Sequence, residues 1–157
     1  MIVRLLVIGK TNTPYLVKGI EEYQKRLQHY LRFEYTEVPD VKVSKGMDEQ
    51  QVKTVEGMEL LKFMDAGAHV ILLDEAGKTF SSENFAKHLQ KRFNSGGKSL
   101  IFVVGGPYGF SEPVYARANE RLSLSPMTFS HQMVRLIAVE QIYRAMTILR
   151  NEPYHHA

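Results

Sequence analysis

Short apolar segments alternate with amphipathic helical segments along all 157 residues, and this alternation restricts the fold more than any other feature. Strand-like segments, which are short and rich in branched apolar side chains, occupy 2–8, 33–38, 70–73, 100–104 and 122–124. Because parallel strands need crossovers of about a dozen residues or more, and each interval carries a helical pattern, this order favours a parallel sheet. We therefore expect an α/β fold: one domain over 1–157, with a mostly parallel sheet and flanking helices.

Capping residues and helical spacing predict where two of the helices begin or end. Ser81 or Ser82 is expected to cap the third helix. The second helix is expected over 48–66 and is closed by Gly67. Helical spacing predicts a buried stripe of Val52, Val55, Met58, Leu61 and Met64, together with Leu60 and Phe63.

The segment 100–104 is a strongly apolar strand candidate that stops abruptly at Gly105-Gly106-Pro107. Its composition indicates a strand buried on both faces. Such a stop fits a tight turn. It also fits a ligand crevice at the carboxyl edge of a sheet, where glycine lets the backbone approach a ligand closely.

Irregular segments at 74–77, which is expected to be a turn, and at 124–130 follow two further strand candidates. Backbone N–H and C=O groups at such strand ends can pair with the edge of an adenine. Leu73, Met127 and Phe129 can supply apolar walls, although core packing is an alternative role for the last two. The three strand ends together favour a crevice over an isolated turn.

Composition excludes several classes of protein. The chain has no cysteine, which rules out disulfides, zinc–thiolate sites and a cysteine nucleophile. It has no apolar run long enough to span a membrane and no signal-peptide pattern at its start, so we expect a cytoplasmic protein without membrane contact. A net charge of +3 is compatible with an anionic partner but is weak evidence for one.

Three common ligand-binding motifs are absent. Two Gly-Lys-Thr tripeptides lack the preceding glycine of a phosphate-binding P-loop, and Arg4 and Leu72 stand in its place. The segment 105–109 has the wrong spacing for a dinucleotide fingerprint, and its proline removes an amide donor. There is no His-Glu-x-x-His pair, so we expect no metal.

The last helix, expected over 131–150, is apolar on more than one side. A surface helix shows a single stripe, so this one needs cover beyond its own sheet, either from the rest of the chain or from a second subunit. We favour a homodimer. Glu140 and Arg144 form a favourable pair one turn apart. Arg135 is suited either to exposed helix surface or to a phosphate.

Six segments together resemble the RlmH family of SPOUT methyltransferases, in order and over essentially the whole chain. They are 7–10 (VIGK), 73–78 (LDEAGK), 104–109 (VGGPYG), 122–135 (LSLSPMTFSHQMVR), 140–145 (EQIYRA) and 153–155 (PYH).

The resemblance implies a SPOUT-type fold with a C-terminal trefoil knot. It implies a dimeric enzyme that uses S-adenosylmethionine to methylate N3 of a pseudouridine in large-subunit ribosomal RNA, acting on assembled ribosomes. The cofactor site maps onto Leu73, Gly105, Leu124, Ser125, Pro126, Met127, Thr128 and Phe129. Tyr154 and His155 lie near the target base, and the site is completed across the dimer. Many family tails carry a basic residue after Tyr-His, where this chain has His156, and this puts a phosphate contact there in doubt.

The chemistry of the target suggests roles for the catalytic candidates Tyr154, His155 and Arg144. N3 of pseudouridine is a weakly acidic imide that loses its proton before or during methylation. A neutral His155 can act as general base or orient the target, and Arg144 can stabilise negative charge or hold a phosphate. A frayed tail is the alternative for His155 and His156.

Two other functions remain open at this point. One is a non-catalytic factor that binds RNA or the ribosome through the same surface. The other is a flavodoxin-like nucleotide-binding module, which predicts a monomer.

Overall fold

The computed structural model describes residues 1–156, in which five strands alternate with five helices. The strands are β1 (Ile2–Ile8), β2 (Arg32–Val38), β3 (His69–Thr79), β4 (Ser99–Val104) and β5 (Glu120–Ser123). The helices are α1 (Pro14–Leu27), α2 (Glu49–Leu61), α3 (Ser82–Asn94), α4 (Glu112–Arg117) and α5 (Met133–Leu149). The predicted alternation of strands and helices is confirmed.

The strands form one sheet in the order β2-β1-β4-β3-β5, and every pairing between neighbours is parallel. All six residues of β4 are buried, as expected for a strand covered on both faces. The predicted parallel α/β sheet is therefore confirmed.

Helices cover both faces of the sheet. Alternate strand residues such as Leu5 and Phe102 pack into one core with side chains of α1, α3 and α5. Their neighbours Leu6 and Val103 pack into a second core with α2 and α4. The two-residue side-chain period of a strand explains why each of the central strands serves both cores.

Side-chain hydrogen bonds cap the N-termini of α3 and α2. Ser81 caps α3 by accepting a hydrogen bond from the backbone N–H of Asn84 at 3.1 Å. At the start of α2, the side chain of Asp48 accepts from the N–H of Gln51, and the Gln51 side chain accepts from the N–H of Asp48. These bonds satisfy donors that a helix N-terminus leaves unpaired.

Two predictions about local structure were wrong. The segment 74–77 is not a simple turn, because β3 continues to Thr79 and resumes pairing with β5 after a register shift between Leu73 and Lys78. Helix α2 ends at Leu61, and Met58 of its predicted buried stripe is 61% exposed.

The buried face of α2 contains Val52 and Leu60, as predicted, and also Glu56 and Gly57, which were not predicted. Helix α2 lies so close to the start of α4 that a Cβ on Gly57 would overlap Oγ of Ser111. The glycine side of α2 therefore packs against α4.

Helix α5 lies between α1 and α3 of the same chain, and these are its main helical contacts. Ala138, Val139, Ile142 and Ala145 are buried, whereas several other apolar side chains of α5 remain half-buried. The rest of the chain therefore supplies much of the cover that its apolar character requires. Within residues 1–156, no helix is long and apolar enough to cross a membrane.

Candidate active site

The carboxyl ends of β4, β3 and β5 lie side by side, because these strands are neighbours in the sheet. A cleft of about 570 Å³ opens there between the segments that follow β4 and β5 and the part of β3 at its register shift, which contributes Leu73, Asp74 and Glu75. This is the position at which open α/β sheets bind ligands, and the volume suits a ligand the size of a nucleoside derivative.

Seven of the eight residues predicted to bind the cofactor line this cleft. They are Leu73, Gly105, Leu124, Ser125, Met127, Thr128 and Phe129. Pro126 is exposed and lies between two lining residues without lining the cleft itself. The structure thus brings together residues that are separated by as many as 56 positions, from Leu73 to Phe129.

The glycine segment after β4 is both a tight turn and a wall of the cleft. The N–H of Gly109 donates to the carbonyl oxygen of Gly106 at 3.1 Å, and Gly109 has a φ of 85°, which favours glycine. A Cβ on Gly105 would lie 2.9 Å from the ring of Phe110. The absence of a side chain lets the backbone of Gly105 form the cleft wall.

The segment after β5 is held by its own serine side chains. Ser123 Oγ donates to the carbonyl oxygen of Ser125 at 2.9 Å, and Ser125 Oγ accepts from the N–H of Met127 at 3.0 Å. Met127 is 76% exposed, so core packing is not its role, and it stands at the cleft as an uncovered apolar side chain.

Two further cleft residues, Asp74 and Tyr115, form a hydrogen-bonded wall. Tyr115 Oη donates to Asp74 Oδ2 at 2.6 Å, and the guanidinium of Arg121 lies 4.0 Å from the Tyr115 ring centroid. Burial and the hydrogen bond to Asp74 raise the pKa of Tyr115 to about 12. Tyr115 went unpredicted because α4, with six residues, is too short to carry a periodic signal.

A buried carboxylate, Glu56, lies behind the glycine wall. The residue is 7% exposed, and its Oε1 has no hydrogen-bond partner within the described residues. A Cβ on Gly106 would lie 2.5 Å from Glu56 Oε2, so the glycine permits this approach. Burial, together with the negative charge of Asp40, raises the pKa of Glu56.

Tyr154 and His155 of the C-terminal tail form one cluster, here called the tail cluster, with Arg144 and Glu140 of α5. Tyr154 Oη donates to Glu140 Oε1 at 2.9 Å. Arg144 donates to the same oxygen from Nη2 at 2.7 Å and from Nε at 3.1 Å, which confirms the predicted Glu140–Arg144 pair.

The Tyr154 ring is fixed by aromatic neighbours. It packs on the ring of Tyr143 with a centroid distance of 4.8 Å, and Tyr23 Oη lies 3.1 Å from Tyr154 Oη. Because Tyr154 donates its single proton to Glu140, Tyr23 is the donor in the second bond. Burial, followed by these hydrogen bonds, raises the pKa of Tyr154 well above its ordinary value, so this phenol stays protonated.

His155 has partners on both ring nitrogens. Nδ1 lies 3.0 Å from Nη1 of Arg144, and Nε2 lies 3.0 Å from Oε1 of Glu83. The side chain of His155 is 17% exposed. The alternative of a frayed tail is therefore wrong for His155.

Arg135 has neither of the roles expected of it. It is 1% exposed and its guanidinium bonds to backbone carbonyl groups and to the Thr11 hydroxyl. It is therefore part of the core, because its planar donors satisfy carbonyl oxygens that would otherwise be buried without partners.

The cleft and the tail cluster are separate features of a single chain, because none of Tyr154, His155 and Arg144 lines the cleft. Over residues 1–156, no group of three or more histidine and acidic side chains is arranged to hold a metal ion.

Comparisons with known proteins identify a family and several relatives of this chain. A family model described as predicted SPOUT methyltransferase matches residues 1–155. The ribosomal RNA large subunit methyltransferase H of Christiangramia forsetii is 56% identical over 156 residues, which are 99% of each chain. The protein of the same description from Parabacteroides distasonis gives the same identity and coverage.

A solved structure, described as a probable methylase family protein from Haemophilus influenzae, has a similar fold. It aligns with a TM-score of 0.56 and 12% sequence identity, over 99% of this chain and 70% of that chain. At this identity the likeness concerns the fold alone.

Proposed function

The chain belongs to the SPOUT methyltransferase family, and on this premise we propose that it methylates N3 of a pseudouridine in large-subunit ribosomal RNA, using S-adenosylmethionine. Relatives that are 48–56% identical carry the description ribosomal RNA large subunit methyltransferase H. The observation that carries this proposal is the cleft, because seven of the eight residues assigned to the cofactor line it.

The cleft fits the cofactor in shape and chemistry. Its strand ends present backbone groups that can pair with an adenine edge, and Leu124, Met127 and Phe129 supply apolar contact area for the ring. S-adenosylmethionine supplies an electrophilic methyl group when bound. The residues of the chain hold that group beside the target base and accept the proton that N3 loses.

The tail cluster is suited to the target base. Arg144 carries a positive charge that can stabilise the imide anion formed when N3 loses its proton. Tyr154 stays protonated and anchors the tail through Glu140, so its role is positioning. His155 is the residue suited to receive the proton.

A homodimer brings the two features together in this proposal. In one chain the cleft lacks the tail residues, so the tail of a partner subunit completes it. The trefoil knot and the action on assembled ribosomes in the cytoplasm form part of the same proposal, because they follow from the family resemblance.

Nucleoside analysis of ribosomal RNA tests the activity directly. Large-subunit RNA from cells lacking the gene is digested to nucleosides and analysed by mass spectrometry, and we expect methyl-pseudouridine to be absent. We expect it to return when ribosomes from these cells are treated with the purified protein and S-adenosylmethionine. An unchanged methyl-pseudouridine level would instead support a non-catalytic ribosome-binding factor. Calorimetry of the pure protein with S-adenosylmethionine provides the second check, since the proposal requires binding.

A further inference from the structure

Glu83 lies outside all six segments that carry the family resemblance, yet it contacts the tail directly. It stands in the first turn of α3, and its Oε1 lies 3.0 Å from Nε2 of His155. The Glu83 side chain is 44% exposed, whereas that of His155 is 17% exposed. Helix α3 therefore presents a carboxylate to one edge of a mostly covered imidazole ring.

The contact between His155 and Arg144, at the other ring nitrogen, determines which nitrogen carries the proton. Nη1 of Arg144 lies 3.0 Å from Nδ1 of His155, and a guanidinium can only donate. Nδ1 therefore accepts and carries no hydrogen, so in the neutral ring the hydrogen is on Nε2 and is donated to Glu83. Arg144 and Glu83 thus fix both the tautomer and the plane of the ring.

We propose that Glu83 is a positioning residue for methyl transfer, which holds His155 with Nε2–H toward α3 so that Nδ1 accepts the N3 proton of the target base. This inference rests on the proposed function. It assigns the proton transfer to one ring nitrogen and gives the other nitrogen a carboxylate partner, the arrangement used by carboxylate–histidine pairs in other enzymes.

The proton transfer balances without any further reactant. When the target base binds, its N3–H group replaces Arg144 Nη1 as the hydrogen-bond donor to Nδ1 of His155. The N3–H bond breaks and the proton passes to Nδ1, while N3 forms a bond to the methyl carbon and the carbon–sulfur bond of the donor breaks. Arg144 stays anchored to Glu140 through Nε and Nη2 and lies beside the charge that develops on the imide.

The ionisable groups around the Glu83–His155 pair belong to three helices. Glu83 and Lys87 belong to α3, Arg144 and Glu140 to α5, and Tyr23 of α1 reaches the cluster through Tyr154. The hydrogen bond from His155 lowers the pKa of Glu83, followed by smaller effects that include the charge of Lys87. Glu83 is therefore ionised at neutral pH and stabilises the imidazolium that forms in the reaction.

Two substitutions of Glu83 in the full-length protein separate its hydrogen bond from its charge. In E83Q the amide oxygen still accepts from Nε2–H, whereas E83A removes the acceptor. By NMR of the free protein, we expect the Nε2–H proton of His155 to give a resolved signal in wild type and E83Q. We expect this signal to be lost to water exchange in E83A. The signal is assigned with a His155→Gln variant, and an unchanged signal in E83A would overturn the proposal.

Kinetics on ribosomes that lack the methyl group provide the second measurement. We expect kcat to fall by about 10-fold or more in E83A and E83Q with little change in KM, and E83D to recover part of the rate. Glu49→Gln, which removes an exposed acid from the first turn of α2, is the matched control.

The outcomes separate the two proposals. A wild-type protein that transfers no methyl group contradicts the proposed function itself. An active wild type whose E83A and E83Q variants keep its kcat contradicts the role of Glu83 alone.

Discussion

Arg135 donates a hydrogen bond of 2.6 Å from Nη2 to the carbonyl oxygen of Ile8, the last residue of β1. Its Nη1 donates to the carbonyl oxygen of Gly9 at 2.9 Å and to the Thr11 hydroxyl at 3.1 Å. A residue from the first turn of α5 thereby joins the C-terminal helix to the end of a central strand. A fully buried cation is tolerated here because carbonyl dipoles surround it.

Arg135→Ala is expected to destabilise the fold. It removes several charge-assisted bonds and leaves buried carbonyl groups unpaired, which predicts a loss of about 3 kcal/mol in the free energy of unfolding. Urea denaturation measures this loss. Arg32→Ala is the control, because Arg32 is 71% exposed. Equal stability of the two variants would contradict a structural role for Arg135.

The sequence predicts the order of elements because each carries its own period, but it does not predict which strands become neighbours. The pairing of β1 with β4 joins residues almost a hundred positions apart, and no local pattern records it. Arg135 shows a related limit. Its charge suggests a surface position, and only the three-dimensional structure reveals the carbonyl groups around it.

The candidate site likewise has a part that the sequence predicts and a part that it does not. The strand-end segments were predictable, since parallel strands present their carboxyl ends at one edge. The family resemblance supplied Tyr154 and His155. The partners that fix these residues, Glu83 and Tyr23, lie on α3 and α1, and nothing in their own segments indicates that the tail returns to them.

Gly77→Ala is expected to disturb both the sheet and the cleft. A Cβ at this position would lie 2.6 Å from the backbone nitrogen of Leu122, in the register-shifted part of the β3–β5 pair. Backbone cannot move aside as a flexible side chain can, so we expect a loss of about 2 kcal/mol and weaker binding of S-adenosylmethionine. Thermal unfolding and calorimetry measure the two effects.

Gly67→Ala is the matched control for that substitution, because a Cβ on Gly67 meets no atom within 4 Å. We expect it to unfold at a temperature close to that of the wild type. A Gly77→Ala protein as stable as the Gly67→Ala protein would show that the β3–β5 pair can accommodate the extra carbon.

Glu56→Gln is expected to stabilise the protein at neutral pH. Because burial raises the pKa of Glu56 in the folded state, its contribution to stability is fully present below its unfolded pKa and is lost as the pH rises through the folded pKa. The amide has the same shape and cannot ionise. We therefore expect the variant to gain about 1 kcal/mol over the wild type near pH 8, and less as the pH falls toward 4.

Denaturation at a series of pH values measures this difference, with Glu49→Gln as an exposed control from the same helix. A Glu56→Gln protein that is less stable than the wild type at every pH would mean that the ionised carboxylate has a favourable partner.

Removal of residues 154–157 is expected to separate cofactor binding from methyl transfer. Tyr154, His155 and His156 do not line the cleft of their own chain, so binding of S-adenosylmethionine should be retained within a few-fold by calorimetry. Transfer to ribosomes should be lost, because the truncation removes Tyr154 and His155. Full activity of the truncated protein would exclude the tail from the mechanism.

The truncation also removes the packing of Tyr154 on Tyr143, so its effect on folding needs its own control. Tyr154→Phe keeps the ring and removes the bonds to Glu140 and Tyr23. If Tyr154 only anchors the tail, this variant should lose about 1 kcal/mol of stability and only part of its transfer rate. Loss of all activity in Tyr154→Phe, with S-adenosylmethionine binding intact, would instead give the phenol a direct part in the reaction.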